Sequence, residues 1–249
     1  MSEIVKTEAI VLSKLNYGDS SSIAALFTKN YGKLSAIIKG GRSPKSKTGF
    51  IIDPLNHLQV ILYKKDNREI QILSSADIIS HFSRIKEDLD KLKYTYAILE
   101  LIKKLIPEHE VNERLFKGIV RIFHLFENSE EHPKILFGRF FMFFLTELGY
   151  AVQIKKCASC GKSNPGNMNL SYNFELGILC NDCKTGYIES FQINSELFNY
   201  FQCLKQNKKV AYEKEVIYDK AILFFELYLK HHIPDFNGIK SFQLFKEVK

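Results

Sequence analysis

From the amino end to about residue 80 the apolar positions fall in short runs of strand length. Ile4–Leu15, Ser22–Thr28, Leu34–Lys39, His57–Tyr63 and Ile70–Ala76 are apolar or β-branched, and the turn-forming groups Asn16-Tyr17-Gly18-Asp19, Asn30-Tyr31-Gly32, Gly40-Gly41 and Asp66-Asn67 lie between them. Five such strands predict a small closed barrel; the OB-fold is the commonest with a binding face, and an SH3-like barrel is the second choice. After Ser80 the period changes. Ile85, Leu89, Leu92, Tyr96, Leu99, Ile102 and Ile106 recur at three- and four-residue steps, the mark of one amphipathic helix, with Ser83 placed to cap its start and Pro107 to end it. A second helix is expected over Asn112–Glu127. A third runs from Pro133 to Leu148 and stops at Gly149. It is apolar nearly all round (Phe137, Phe140, Phe141, Met142, Phe143, Phe144, Leu145), which predicts the buried centre of a bundle. Residues 152–190 break the helical pattern, and helices resume at Ser195–Leu204 and from about Glu213 to His232. The expected class is α+β and multidomain: a barrel at 1–80, a helical domain from 81–151 and 191–249, and an insertion at 152–190.

That insertion holds two Cys-x-x-Cys pairs, Cys157–Cys160 and Cys180–Cys183, separated by nineteen residues. The spacing suits a four-thiolate zinc site, in which each pair supplies two sulfurs from one tight turn. Four thiolates leave no open position, so the zinc is expected to be structural. The segment is rich in Gly, Asn and Ser and has few core residues of its own, so it needs a metal to hold its shape. Lys155, Lys156, Lys162 and Lys184 flank the ligands and offset their charge, or contact phosphates. Cys203 stands alone in an apolar stretch and reads as a core filler.

Charge changes the picture of the barrel. The net charge is +7 and the pI near 9.0, a balance that points to an anionic partner, nucleic acid first. Only six of the 35 basic residues are Arg, and the richness in Lys, Ile, Asn and Phe is what an A/T-rich coding bias yields by itself. Placement therefore matters more than the total. No acid occurs between Asp19 and Asp53, a stretch that carries Lys29, Lys33, Lys39, Arg42, Lys45 and Lys47. A one-sign field on a strand and its following loop is what phosphate backbones need. Tyr17, Tyr31 and Phe50 lie near in sequence, where rings can stack on bases or fill the core.

Gly41 to Thr48 nearly matches a phosphate-binding P-loop. Ser46 stands where its second glycine belongs, Pro44 removes a backbone donor, and Asp53-Pro54 leaves no room for a clear helix, so nucleotide hydrolysis is not expected. The histidines are scattered, and His231-His232 suit a helix end. No nucleophile, zinc-protease or dinucleotide motif occurs. The opening MSEIVKTEAIVLSK has no signal-peptide pattern, and the longest apolar run is too short to span a bilayer. The expected compartment is the cytoplasm, where reduced thiols favour metal over disulfide.

The order of these parts resembles the bacterial recombination mediator family RecO. Thr7-Glu8-Ala9-Ile10-Val11-Leu12, Tyr17-Gly18-Asp19-Ser20-Ser21 and Leu26-Phe27-Thr28 look like that family's first two strands. Tyr31-Gly32-Lys33 and Ile38-Lys39-Gly40-Gly41-Arg42-Ser43 look like its basic third strand and loop. Leu148-Gly149-Tyr150 leads into Cys157-Ala158-Ser159-Cys160-Gly161, Phe174 through Gly177 precede the second pair, and Lys240-Ser241 resembles a Lys-Ser element near the family's end. The resemblance implies an N-terminal OB-fold, a helical C-terminal domain and an inserted zinc ribbon. It implies binding of single- and double-stranded DNA, annealing of complementary strands, no enzymatic step, and a cytoplasmic, nucleoid-associated place. Implied partners are RecR and the acidic C-terminal tail of the single-strand binding protein, with loading of RecA as the outcome. The DNA role falls on Lys33, Lys39, Arg42, Lys45 and Lys47, and Arg121 and Arg139 are candidates for the tail's carboxylate. The alternatives are an RNA- or ribosome-associated zinc-ribbon protein and a metal-dependent nuclease; the basic stretch lacks the carboxylates a nuclease would need.

Overall fold

A computed structural model describes residues 2–163, 170–184, 191–210 and 214–245. The chain divides into two compact units, Met1–Glu130 together with Ile239–Lys249, and Glu131–Gly238.

The first unit is built on a closed five-stranded barrel. Its strands are β1 (Glu3–Tyr17), β2 (Ser21–Thr28), β3 (Gly32–Ile38), β4 (His57–Lys64) and β5 (Ile70–Ser80), in the order β1-β2-β3-β5-β4. All pairings are antiparallel except β3 with β5. This is the expected OB-like barrel. β1 is long enough to serve two neighbours: Glu3–Ile10 pair with β4, and most of Ala9–Tyr17 with β2. A bulge between Val11 and Ser13 bends it round the barrel. Inward-facing Val5, Ala9, Val11, Ala24, Leu26, Leu34, Ala36, Leu58, Val60, Leu62 and Leu73 fill the interior. Between β3 and β4 lies a short helix, α1 (Lys47–Ile51), capped by Ser46 Oγ, which accepts from the Gly49 amide at 3.0 Å. The helix excluded from the sequence beside Asp53-Pro54 is therefore present, as little more than one turn.

The helix expected from Ser83 to Ile106 is two helices, α2 (Ser83–Glu87) and α3 (Leu89–Leu105). Asp88 separates them in an extended conformation, and its carboxylate accepts from the amides of Asp90 and Lys91. An Asp that caps a new helix wins over continuation of the old one. Ser83 does not cap α2. Phe82 precedes it in the left-handed region, and the Glu127 carboxylate accepts from the Arg84 and Ile85 amides instead. Glu127 lies near the end of α4 (Glu113–Asn128), whose own cap is Asn112. These helices group with the barrel: Phe116 of α4 lies 6.0 Å from Phe27, centroid to centroid, and 5.8 Å from His57. The chain returns to this unit at α8 (Ser241–Leu244), where the Ser241 amide and hydroxyl donate to Glu100 of α3.

The second unit packs α5 (Pro133–Glu147), α6 (Ser195–Gln206) and α7 (Glu215–His232) around aromatic contacts such as Phe141 stacked on Phe225 at 4.9 Å. α5 is buried as its composition requires. Three short strands missed in the sequence, β6 (Leu170–Asn173), β7 (Gly177–Leu179) and β8 (Phe191–Ile193), form a sheet in the order β7-β6-β8. The expected ribbon, 152–190, lies within the described residues only over 152–163 and 170–184. Among the described residues no helix is long and apolar enough to cross a membrane.

Candidate nucleic-acid interface and metal centre

The barrel sorts the basic stretch into two groups at opposite ends of β2 and β3. Register places Tyr17 opposite Ser21 and Ser22 opposite Ile38, so the β1–β2 turn and the exit from β3 share one end. Thr28 pairs with Gly32, which puts Lys29 and Lys33 at the other end. There the ammonium groups have partners within the fold. Lys29 donates to Glu8 Oε1 at 2.6 Å. Lys33 is buried, donates to the Lys103 carbonyl at 2.7 Å and sits 3.4 Å from Glu108 Oε1. Lys33 thus leaves the set of phosphate contacts inferred from the sequence, because its charge is spent on the end of α3 and the segment after it. No pattern near Lys33 announces this; its partners lie about seventy residues away.

Lys39, Arg42, Lys45 and Lys47 are all exposed. Two contacts hold their loop in place. The Arg42 amide donates to the Ser20 carbonyl and Arg42 Nη1 to the Gly18 carbonyl, each at 2.9 Å, which fastens the loop to the β1–β2 turn. Gly49 of α1 lies so close to Gly41 that a Cβ on it would stand 1.9 Å from the Gly41 carbonyl oxygen. Only glycine permits that approach. Lys14 of β1 closes the ring by donating to the Gly49 carbonyl at 2.7 Å, a connection the sequence reading did not make. The result is a cluster of cations on an ordered loop beside one of the turns that OB-folds use to hold oligonucleotides. Asp19 is exposed in the same turn, while Asp53 is paired with Lys86 at 2.8 Å.

Beside Lys29, Glu8 also meets His57, Oε2 to Nε2 3.1 Å. The Lys29 hydrogen bond holds the Glu8 carboxyl below its usual range, and burial pushes the His57 ring down. The pair is structural, tying β1 to the start of β4.

In the second unit the four cysteines meet. Their sulfurs all lie within 4.8 Å of one another, and Cys160 Sγ is 3.8 Å from Cys180 Sγ. A tetrahedral ion with metal–sulfur bonds of about 2.3 Å sets its ligands about 3.8 Å apart. Each pair sits on a tight turn. The Gly161 amide, in the left-handed region, bonds the Cys157 carbonyl at 2.9 Å, and the Cys183 amide bonds that of Cys180 at 3.1 Å. The Ala158 amide ties the first turn to Ile178 of β7. Burial pushes the Cys157 thiol up, but amides of Cys160, Cys180 and Ser159 outweigh it and bring it down to about 6. The Ser159 hydroxyl would lower the Cys183 thiol, yet the sulfurs of Cys180, Cys160 and Cys157 drive it up to about 12. Four crowded sulfurs resist ionising together unless a cation neutralises them, so the donor set fits a soft divalent metal. Lys155, Lys156 and Lys162 are exposed around it.

Two family models match this chain in succession, Recombination protein O N terminal over residues 1–82 and Recombination protein O C terminal over residues 86–238. The chain belongs to the RecO family. The boundary between the two RecO matches falls just after β5, and both cysteine pairs lie inside the C-terminal match. A DNA repair protein RecO from Chlorobium limicola is 34% identical over 159 residues, 64% of this chain and 61% of that protein. The chain thus matches about three-fifths of that relative's length. A RecO protein from Acetivibrio thermocellus is 26% identical over 92% of both chains, and one from Chloroherpeton thalassium 25% identical over 98% of this chain and 99% of its own.

Proposed function

We propose that this RecO-family chain is a DNA-binding mediator of repair and recombination that performs no covalent chemistry. The observation that carries the reading is the segregation of charge on the barrel: Lys39, Arg42, Lys45 and Lys47 exposed on one locked loop, Lys29 and Lys33 neutralised at the far end. Phosphates that settle on this loop release counterions, which supplies affinity without sequence preference. Two strands held near one basic surface repel each other less and pair more readily. The relatives' name, DNA repair protein RecO, supports the same role. In this reading the chain acts in the cytoplasm, on the nucleoid, and works with RecR to load RecA onto single strands coated by the single-strand binding protein.

Docking on that protein's acidic tail raises the local concentration of DNA at the loop. For the tail's carboxylate, Arg139 is a poor candidate: its Nη2 donates to Glu131 at 2.7 Å and to the Lys208 carbonyl at 2.9 Å. Arg121 is exposed at a hollow of about 180 Å³ with Phe116 and Val120 in its lining; Lys29 and Lys117 there are paired with Glu8 and Glu113, so among the described residues Arg121 is the cation this hollow offers to such a tail. The four cysteines hold Zn²⁺ in a structural role. When bound it would offset part of the thiolates' charge and cross-link the two turns, while the chain's own residues bring those turns together and anchor them on β7.

The test is the salt dependence of binding to a labelled single-stranded oligonucleotide. Each phosphate neutralised contributes about −0.7 to the slope of log affinity against log salt. Arg42→Ala, Lys45→Ala and Lys47→Ala together should flatten that slope by about 2. Equal flattening by Ala at Lys117, Lys220 and Lys230 would mean that the charge acts diffusely and would refute the proposal.

A further inference from the structure

Two rings next to the basic loop, one at the end of β1 and one in α1, have no part in the charge cluster. Tyr17 is 54% exposed and Phe50 70% exposed. Neither makes a ring contact or a side-chain hydrogen bond among the described residues, whereas most other aromatic rings of the chain are packed. Exposing an aromatic ring this far wastes apolar surface that a core could bury, so two of them beside a cation cluster call for a ligand.

Backbone contacts place both rings in the basic loop's immediate surroundings. Tyr17 ends β1, and the carbonyl of the next residue, Gly18, accepts from Arg42. Phe50 follows Gly49, which lies against Gly41, the neighbour of Arg42. The path Tyr17, Gly18, Arg42, Gly41, Gly49, Phe50 is continuous, and it runs through Arg42, whose guanidinium reaches the Gly18 carbonyl. Leu15, 65% exposed, adds apolar surface two residues before Tyr17. The third ring suggested by the sequence, Tyr31, is excluded. It lies past β2 at the opposite end of the barrel, is packed against the core, and has the Lys64 ammonium 5.6 Å from its centroid.

We propose that Tyr17 and Phe50 are base-stacking residues, and that this barrel end takes the unpaired bases of a single strand while its cations hold the backbone. Base faces in a duplex are covered by their neighbours; only an unstacked strand can offer them to protruding rings. The pair therefore gives preference for single strands, which charge alone does not. This inference rests on the DNA-binding reading above, and it adds the part of the ligand that is recognised.

The chain has no Trp, which supplies a direct probe. Phe50→Trp keeps a stacking ring and introduces the only indole. Saturation with oligo-dT should quench its emission strongly, and a duplex of equal length much less. In parallel, Tyr17→Ala with Phe50→Ala should weaken binding of a labelled single strand about tenfold or more and that of the duplex less than twofold, since stacking is worth about 1–3 kcal/mol per base. Both rings are exposed, so folding should be untouched, and a circular-dichroism melt checks it. Unchanged emission while anisotropy shows the oligonucleotide bound would overturn the inference, as would equal losses on both DNA forms. The triple change at Arg42, Lys45 and Lys47 separates the two readings. If it abolishes binding while the ring changes do nothing, the stacking inference alone fails. If it leaves binding intact, the interface itself is refuted and the inference with it.

Discussion

Lys33→Met tests whether the fold, and not a ligand, owns this cation. The substitution keeps most of the buried stem and removes the ammonium. Lys103 lies in the last turn of α3, where carbonyls have no partner within the helix. Its oxygen accepts from Lys33 at 2.7 Å, and removal of the donor leaves it without that bond. A hydrogen bond from a charged donor contributes about 1.5–3 kcal/mol. The contact with Glu108, 3.4 Å away and more than half exposed, adds little. The expected loss for Lys33→Met is thus about 2 kcal/mol. Lys33→Ala also surrenders buried methylenes at about 0.8 kcal/mol each and should cost about 4 kcal/mol. Urea unfolding followed by circular dichroism reads this directly. With a slope of about 2 kcal/mol per M, the midpoint of the Met variant should fall by about 1 M. DNA affinity of the folded variant, measured well below the transition, should stay within about twofold, because a 2 kcal/mol loss of stability leaves nearly all the protein folded there. An unchanged midpoint with DNA affinity reduced as far as in Lys45→Ala would refute the assignment and return Lys33 to the interface.

Gly49→Ala should both destabilise the first unit, by about 2 kcal/mol or more, and weaken single-strand binding, since the added methyl meets the Gly41 carbonyl and must push the loop from α1; a normal melt with normal affinity would show that the loop adapts freely. Chelation at neutral pH should loosen the second unit first, read as faster proteolysis between residues 152 and 193 while the barrel stays protected, and metal analysis of the untreated protein should give about one zinc per chain. Stability should fall with pH in two windows. His57 has its pKa lowered by burial, so the folded state takes up its proton later than the unfolded state, and stability declines as pH drops below about 6.5. Glu8, also lowered, contributes above the unfolded carboxyl value of about 4.3 and loses that contribution as pH falls through its folded value. His57→Gln should remove the first decline and keep the second, a difference that urea midpoints between about pH 2 and 7 will show.

The parts legible in the sequence are those that local chemistry dictates. Apolar and β-branched runs of strand length, with turn residues between them, marked the five barrel strands, because β-branched side chains suit a pleated surface and chain reversals need Gly, Asn or Asp. The Cys-x-x-Cys spacing located all four sulfurs now found within 4.8 Å, because two tight turns are enough to present them. Pro133 and Gly149 bracketed α5 for the same local reason. What tertiary structure alone decided depends on partners far away in the chain. Lys33 and Lys39 read alike as sequence, yet only the register of β2 and β3 sends one to the end of α3 and leaves the other exposed. Glu127 satisfies the start of α2 from more than forty residues away, and Asp88 breaks a helix that its periodic neighbours favoured. The approach of Gly41 to Gly49, which sets α1 against the loop that Arg42 fastens to the turn after Tyr17, shows no trace in the hydrophobic pattern. Periodicity reports which side of an element is buried; which charges remain free is set by the closing of the barrel, when distant backbone groups take up some side chains and not others.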